Sequence, residues 1–388
     1  MKIQPLSKKR PPLSLHKESI VDTPLSREAS FAMGSKAYLK HLYLRHFRNY
    51  TEAAIPFALG NNTISGDNAQ GKTNLLEAIA LISTGRSFRT QHLSELIQSG
   101  GSFFYLEAEI MRDHISHIVK LSFDGQNRHL QLDANTFSTF QPLLGLLPSI
   151  VSAPDDTDLI TGSPAVRRRF LNLHLAQSDS LYVHHLARYW RAMKQRNCLL
   201  RAKSLDAIEC WEMEMAQSAT YLAGARQMLL GDLAEPLQEQ GHHLSADVES
   251  IALRFHSTYD PQPDAYLQQL QKGRAKEKEL GWTLHGPHRD DFSFWIGMKP
   301  ARLFASEGQK KTAVIALRLA EWERLAQKVG APPLMAIDDF GGALDAKRQT
   351  LLYSSLQSMG QVFLTLPTAS ATAQATLHIH QGSILSKI

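Results

Sequence analysis

The stretch of sequence that decides the fold is Gly66-Asp67-Asn68-Ala69-Gln70-Gly71-Lys72-Thr73, which matches the phosphate-loop pattern G-x-x-x-x-G-K-[ST]. A short β-prone run at 62–65 precedes it, and the run 74–81 that follows has apolar residues at helical spacing. In such a strand–loop–helix context, the loop N–H groups and the helix N-terminus form a cradle for a phosphate. The sequence therefore predicts a nucleotide-binding loop, with all eight residues as contacts.

Two side chains give this loop its chemistry. Lys72 is expected to reach the β- and γ-phosphates of ATP and to act in catalysis, and the Thr73 hydroxyl is expected to ligate Mg²⁺. The alternative is a glycine-rich turn before an ordinary helix. Both glycines, the Lys-Thr pair and the flanking elements are all present. Together they favour a nucleoside-triphosphate site.

A second element of a nucleotide site follows far downstream. The apolar run Leu-Met-Ala-Ile at 334–337 suits a strand buried on both faces, and it ends in Asp338-Asp339. A carboxylate at the end of such a strand is typical of the Walker B position, so Asp338 is expected to hold Mg²⁺. Asp339 is then expected to orient or deprotonate the attacking water. The alternative, an acidic turn after a strand, is less favoured in a chain with a phosphate loop.

The distance between these elements predicts the architecture. About 265 residues separate Lys72 from Asp338, far more than a compact kinase or GTPase core needs. We therefore predict an α/β fold, an ABC-type ATPase head with a mixed β-sheet, interrupted by a helical arm. The predicted parts are a disordered tail or misassigned start (1–36), the N-terminal part of the head (37–165), the arm (166–281, expected to be helical) and the C-terminal part of the head (282–388).

A third element lies shortly before the Walker B strand. Ser306 and Gln309 have the spacing of a capping box at the start of a helix. By itself this pattern indicates only that a helix begins. At this position, however, Ser306, Gly308 and Gln309 look like an ABC signature motif, which presents a serine and a helix N-terminus to the γ-phosphate of a nucleotide held by another subunit. Ser306 is therefore also a predicted catalytic residue.

Composition excludes several classes of protein. The 388 residues include two cysteines, Cys198 and Cys210, which cannot form a disulfide framework and lack the spacing of metal ligands. A reducing compartment, the cytoplasm, is therefore expected. No apolar run approaches the ~18 residues of a membrane span. Residues 1–36 are polar and lack the apolar core of a secretory signal, so they are expected to be disordered, or Met33 is the true start.

Positive charge is concentrated in one segment of the chain. The net charge is +5, but 164–203 contains nine basic residues and a single acid, Asp179. Such a face is typical of proteins that bind the phosphate backbone, and no base-reading motif accompanies it. The alternatives are a solvated helix face or an interface for an acidic protein. The predicted DNA contacts are Arg188, Arg191, Lys194 and Arg196.

Several further motifs resemble the bacterial RecF family, collinearly from about residue 38 to residue 366. They are F-R-N-Y at 47–50, the phosphate loop with 74–79, G-R-S-F-R at 85–89, P-A-V-R-R-R-F-L at 164–171, Q-R-N-C-L-L at 195–200, H-G-P-H-R-D-D at 285–291, the signature, and Asp338-Asp339 with Leu344-Asp345. One departure is Gly342-Ala343, where the family more often has Ser-Glu. This difference puts in doubt the cross-subunit contacts usually made there.

The resemblance implies a DNA repair function. ATP would join two heads into a homodimer that binds duplex and gapped DNA, and slow, DNA-dependent hydrolysis would release it. RecO and RecR would be partners in RecA loading, with roles in replication fork recovery and SOS induction at the nucleoid. The alternatives are an SMC-like architectural ATPase, disfavoured by the short arm, a P-loop kinase, for which no acceptor lid is visible, and a transporter-type ABC ATPase. The last should carry a histidine after the strand at 361–365, but none follows until His378.

Overall fold

The structure is a computed structural model that describes residues 36–244, 250–340, 342, 344–367 and 375–387. These residues belong to one compact unit. The predicted tail, apart from Lys36, and Ala343 lie outside the described residues. Because a single unit covers head and arm, the predicted domain boundaries at 165 and 281 stay predictions.

The first layer is a six-stranded mixed sheet with strand order β15-β14-β3-β13-β12-β8. Neighbouring strands from β8 to β14 run parallel, and only β15 is antiparallel to its neighbour. The parallel strands are buried because helices cover them, as their apolar composition predicts. The strands are β3 (Asn61–Ser65), β8 (Ser149–Ser152), β12 (Leu334–Ile337), β13 (Val362–Leu366), β14 (Ala375–His380) and β15 (Ser383–Lys387). The predicted α/β head with a mixed sheet is confirmed.

A second, antiparallel sheet has the strand order β2-β1-β4-β5-β6-β7, and the sequence analysis did not identify it. Its strands are β1 (Ala37–Phe47), β2 (Tyr50–Pro56), β4 (Phe104–Arg112), β5 (Ile115–Phe123), β6 (Arg128–Leu132) and β7 (Asn135–Phe137). Alternate residues of β4, beginning with Phe104 and Leu106, are buried, as expected when one face of a sheet packs and the other meets water.

Helix α1 (Lys72–Thr84) lies between the two sheets, and its apolar side chains join one hydrophobic core with both of them. The head also contains α9 (Glu307–Val329) and α10 (Ala346–Leu356), which precede and follow the Walker B strand. Every residue of α1 from Leu75 to Thr84 is buried, so the phosphate loop is attached to one of the least exposed helices of the head.

The arm is built from helices that leave the head after β8. They are α2 (Asp158–Thr161), α3 (Pro164–Ser178), α4 (Ser180–Arg201), α5 (Ile208–Asp232), α6 (Ala234–Leu244) and α7 (Pro263–Leu280). Asp179 separates α3 from α4 and caps α4, because its carboxylate accepts a hydrogen bond from the Tyr182 N–H at 3.0 Å. Within the described residues, no helix is long and apolar enough to cross a membrane.

The expectation that the arm is helical as far as residue 281 is wrong at one point. Residues Ile251–His256 form strand β9, which pairs antiparallel with β10 (Asp291–Ile296), and β10 pairs in turn with β11 (Lys299–Pro300). The short helix α8 (Ala301–Phe304) follows. Apolar residues alternate at Ile251, Leu253 and Phe255, a period of two that suits a strand and not a helix. This small sheet joins the arm to the returning head.

Candidate nucleotide site

The phosphate loop connects β3 to α1 as expected, and its two glycines are required by close packing. Gly66 has φ 147°, and a Cβ there would lie 2.3 Å from the carbonyl oxygen of Ile379. Gly71 has φ 120°, and a Cβ would lie 2.7 Å from Nδ2 of Asn49. The exposed loop tip consists of Asp67, Asn68 and Ala69. No side chain caps α1, so its first N–H groups are available to an anion.

Lys72 lies across this loop. Its Nζ donates to the carbonyl oxygens of Gly66 at 2.6 Å and Asp67 at 2.8 Å. An ammonium has three N–H donors, so one remains for a further acceptor. Lys72 is thus held by the loop backbone at the cradle where the sequence predicts phosphate.

The side chains of Thr73 and Asp338 meet although 265 positions separate them. Thr73 Oγ1 donates to Asp338 Oδ1 at 3.0 Å, and the Thr365 hydroxyl donates to the same oxygen at 2.8 Å. They meet because β3, β13 and β12 are parallel neighbours whose carboxyl ends share one edge of the sheet. A hydroxyl beside one carboxylate is the oxygen pair that suits Mg²⁺ bound together with phosphates. The donor set therefore fits the expected metal.

Asp339 differs from Asp338 in its exposure and backbone. Asp338 is 8% exposed, whereas Asp339 is exposed and has φ 53° in the left-handed region. The Asp339 N–H donates to the Thr365 hydroxyl at 2.7 Å, and a Cβ on Gly342 would lie 2.2 Å from Asp339 Oδ2. The two neighbouring carboxylates therefore have different surroundings, as separate roles in metal binding and water activation require. The role of Asp339 in water activation stays a prediction.

The signature residues form the N-terminus of α9. Ser306 Oγ accepts from the Gln309 N–H at 3.2 Å, and Gln309 Oε1 accepts from the Ser306 N–H at 2.8 Å, which is the predicted reciprocal capping box. Ser306 and Gly308 are exposed. No hydrogen bond or ion pair recorded for the described residues joins these three residues to the phosphate loop. The structure thus brings the loop and Asp338 together, and it leaves the signature on an open surface.

Residues that support the phosphate loop come from the F-R-N-Y turn between β1 and β2, whose role the sequence did not predict. Asn49 Nδ2 donates to the Gln70 carbonyl at 2.8 Å, and the Tyr50 hydroxyl donates to the Gly71 carbonyl at 3.0 Å. On the other side, the turn between β14 and β15 contributes the N–H groups of Gln381 and Gly382, which donate to Gln70 Oε1 at 2.7 Å and to the Gln70 carbonyl at 2.9 Å.

A buried carboxylate joins α1 to the same turn. Glu77 is fully buried and accepts from Arg48 Nε and Nη2, each at 2.8 Å. The Ser87 hydroxyl donates to Glu77 at 2.5 Å, and Arg89 lies 3.5 Å from it. The motif 85–89 therefore neutralises and positions the helix that begins at Lys72.

A cavity of about 430 Å³ adjoins the site between α1, β8, α3 and α9. It reaches Thr73 and Asp338 but none of residues 66–72, so it lies beside the phosphate cradle and does not contain it. Its wall holds an ion-pair cluster in which Arg318 binds Asp156 at 2.8 and 2.7 Å and Glu321 at 2.7 Å. Burial opposes ionisation of Glu321, but Arg318 outweighs it and lowers the pKa of Glu321. This cluster ties the turn after β8 to the signature helix.

The motif H-G-P-H-R-D-D is a structural junction between arm and head. Asp291 binds Arg167 through bonds of 2.6 and 2.9 Å, and buried Asp290 binds Arg226 at 2.6 Å. Burial raises the pKa of Asp290 to about 6, and Arg226 opposes that shift. Burial lowers the pKa of His288 to about 4, so the imidazole that accepts the Tyr189 contact at 2.7 Å is neutral at pH 7. Within the described chain, no group of three or more His, Cys, Asp or Glu could hold a metal.

The predicted DNA contacts divide into two groups. Arg191 and Lys194 are exposed, and Arg188 is half-buried in an ion pair with Glu214. Arg196, in contrast, is fully buried and binds Glu212 at 3.0 Å and Glu277 at 2.7 Å. The prediction that Arg196 contacts DNA is therefore wrong.

The reason is helical periodicity. Arg196 shares the buried face of α4 with Tyr189, Met193 and Leu200, so its charge stabilises the arm core. The arginines of α3 are also engaged within the protein: Arg168 donates to the Asp290 carbonyl at 3.1 Å, and Arg169 donates to the Ser87 carbonyl. The basic surface is therefore smaller than the sequence suggests.

Comparison with known proteins identifies the family. The RecF/RecN/SMC N terminal domain family matches residues 38–380. The chain is 45% identical over 334 residues to the DNA replication and repair protein RecF of Protochlamydia amoebophila (strain UWE25), a match that covers 84% of this chain and 93% of that relative. It is 36% identical over 341 residues to RecF of Symbiobacterium thermophilum, covering 84% and 91% of the two chains.

A solved structure of the recombination mediator protein RecF with ATP, in the RecFOR pathway, matches with a TM-score of 0.85 and 27% identity, covering 91% of this chain and 98% of that one. An Smc head bound to the C-winged helix domain of ScpA matches with a TM-score of 0.53 and 16% identity, which shows a shared fold alone. The resemblance predicted from the motifs is confirmed, and the chain belongs to the RecF family of DNA replication and repair proteins, with the ATPase head of the RecF/RecN/SMC group.

Proposed function

We propose that this protein is an ATP-gated DNA-binding protein of recombinational repair. The observation that carries the proposal is the 3.0 Å contact between Thr73 and Asp338 beside a phosphate loop with both required glycines. Family membership and the similarity to a solved RecF–ATP structure support the same conclusion.

In the proposed site, the N–H groups of residues 66–73 and Lys72 bind the phosphates of ATP. Thr73 and Asp338 would hold Mg²⁺, which when bound neutralises phosphate charge and orients the β- and γ-phosphate oxygens. Thr365 keeps the Asp338 carboxylate oriented through its 2.8 Å hydrogen bond. Asp339 accepts a proton from the attacking water or aligns it. Hydrolysis is slow and acts as a switch that ends the ATP-bound state.

ATP also acts across a homodimer in this proposal. Exposed Ser306 and Gly308 at the N-terminus of α9 would bind the γ-phosphate held by Lys72 of a second copy. Two such sites related by a two-fold axis form an isologous pair. ADP lacks the γ-phosphate, so it cannot supply the charge-assisted contacts that join the two surfaces. The capping box supports this role because it orders Ser306 on an open surface before any partner binds.

DNA is the proposed ligand of the dimer. Arg191 and Lys194, together with Arg188, would bind the phosphate backbone of duplex DNA near single-strand gaps. The proposed pathway is RecA loading with RecO and RecR, which supports fork recovery and SOS induction, and the proposed location is the nucleoid in the cytoplasm. The relatives are RecF proteins of DNA replication and repair, and one solved relative is described in the RecFOR pathway.

Sedimentation velocity tests the proposal. The wild-type protein should dimerise with ATP and Mg²⁺ at micromolar concentration, and it should stay monomeric with ADP or no nucleotide. Ser306→Arg should bind ATP as a monomer but not dimerise, because a bulky cation enters the seam. Ser354→Arg, at an exposed site on α10, is the matched control and should dimerise normally. A wild-type protein that stays monomeric with ATP, or a Ser306→Arg variant that dimerises, would contradict the proposal.

A further inference from the structure

The exposed face of α4 has an unusual combination of charge and aromatic surface. No Asp or Glu occurs between Ser180 and Arg201, and Arg191, Lys194 and Arg201 are all exposed. Nearby carboxylates are already engaged, since Glu214 pairs with Arg188 and Glu209 pairs with Arg274. The face is therefore positive, and its cations are available to an anionic ligand.

An exposed tryptophan lies within this positive face. Trp190 is 46% exposed, and the aromatic ring recorded nearest to it in the described structure is Tyr189, at a centroid distance of 6.5 Å. Residues 190, 194, 197 and 201 are spaced four, three and four positions apart, so they form one line along the helix. The line consists of Trp190, Lys194, Asn197 and Arg201. An indole and two cations thus face solvent in the same direction.

A second tryptophan flanks the other end of the same line. Trp282 is 47% exposed and follows Gly281, where a Cβ would lie 2.9 Å from Cγ of Arg201. The next residue, Thr283, is fixed to α4 because its N–H donates to Oδ1 of Asn197 at 2.9 Å. Trp282 is therefore held beside the C-terminal end of α4. Eleven residues at the helical rise of 1.5 Å put the two ends of the line about 16 Å apart.

We propose that Trp190 and Trp282 stack on unpaired bases of a DNA strand whose phosphates are bound by Arg191, Lys194 and Arg201. The inference rests on the proposed function, since it assumes that this face of α4 binds DNA. Aromatic rings set among backbone-binding cations are typical of single-strand recognition, because every base has a face on which a ring can stack.

A continuous duplex offers no base faces to these rings. Bases become available where one strand is unpaired, at a gap or at the end of a duplex. The positive charge around the rings favours a nucleic acid over an apolar protein surface, because exposed cations would have to lose their hydration without a counter-charge. The α4 face would then distinguish a duplex with a single-stranded extension from a continuous one.

Fluorescence anisotropy with two labelled DNAs tests the inference. One DNA is a blunt duplex, and the other is the same duplex with an oligo(dT) extension, both measured with ATP and Mg²⁺. Trp190→Ala and Trp282→Ala should each weaken binding to the extended DNA on the order of tenfold, and they should stay within about twofold of wild type on the blunt duplex. Trp190→Phe and Trp282→Phe should retain most of the affinity, because phenylalanine still stacks.

A matched control is Leu181→Ala, which removes an apolar side chain that is 58% exposed on the opposite side of α4. It should leave both affinities unchanged. Equal weakening of both DNAs by the tryptophan variants, or no weakening of either, would overturn the inference, and the second result would assign the two indoles to a protein partner. A wild-type protein that binds neither DNA would refute the proposed function itself. One that binds both equally would refute this inference alone.

Discussion

The contact between Arg48 and Glu77 provides a direct test of how the head supports its phosphate loop. Glu77 is fully buried on α1, and the Arg48 side chain, 19% exposed, binds it through two hydrogen bonds of 2.8 Å. Arg48→Ala would leave a buried carboxylate without its main counter-charge. Removing one partner of a buried ion pair typically costs about 3–5 kcal/mol.

We expect a value near the lower end of that range, because the Ser87 hydroxyl and Arg89 still contact Glu77. Urea unfolding followed by circular dichroism should show the free energy of unfolding lowered by about 3 kcal/mol in Arg48→Ala. The matched control is Arg45→Ala, an exposed arginine on the same strand, which should change it by less than about 0.5 kcal/mol.

A double-mutant cycle separates the ion pair from lost packing. In a Glu77→Gln background the charge to be neutralised is absent, so Arg48→Ala should cost less there. The coupling free energy between the two sites should exceed about 1 kcal/mol, as for residues that share one buried network. An Arg48→Ala variant as stable as Arg45→Ala, or a cycle without coupling, would refute the view that this pair anchors α1.

Three further predictions concern function. Lys72→Ala should lower ATP affinity at least tenfold, about 1.4 kcal/mol, in a calorimetric titration, whereas Lys72→Arg should bind ATP and hydrolyse it poorly; full ATPase activity in Lys72→Ala would exclude the assignment. Asp339→Asn should bind ATP normally and accumulate as the dimer with slowed phosphate release, and turnover at the wild-type rate would require another base. Charge reversal at Arg191 and Lys194 should weaken binding to all DNA sequences and reduce the salt slope by about one per lost contact, with an unchanged slope assigning the face to a protein.

The nucleotide-site elements could be predicted because each is a local pattern. The glycines at 66 and 71, the capping box at Ser306 and the apolar strand before Asp338 all depend on residues a few positions apart. Their meeting in space depends on strand order, which spacing alone does not give. Thr365 illustrates this limit, since its hydroxyl binds Asp338 and the Asp339 N–H only because β13 lies beside β12.

The errors have equally specific causes. Arg196 was counted with the surface charges because charge was summed along the chain, although Tyr189, Met193 and Leu200 mark that helix face as buried. Strand β9 was missed for a related reason, as a period of two was not tested inside a helical region. The role of Arg48 could not be found from sequence, because its partner Glu77 lies on a helix 29 positions later.

The turn between β14 and β15 has a consequence for biosynthesis. Gln381 is 311 positions after Gln70, yet its N–H and that of Gly382 hold the phosphate loop, and Ile379 packs against Gly66. On the ribosome, the loop motif emerges long before this support is translated. A nascent chain that stops before Ile379 would carry the whole motif without the backbone that shapes it. Nucleotide occupancy would then report that synthesis has passed that turn, so truncated products would be deprived of ATP and of the assembly that depends on it.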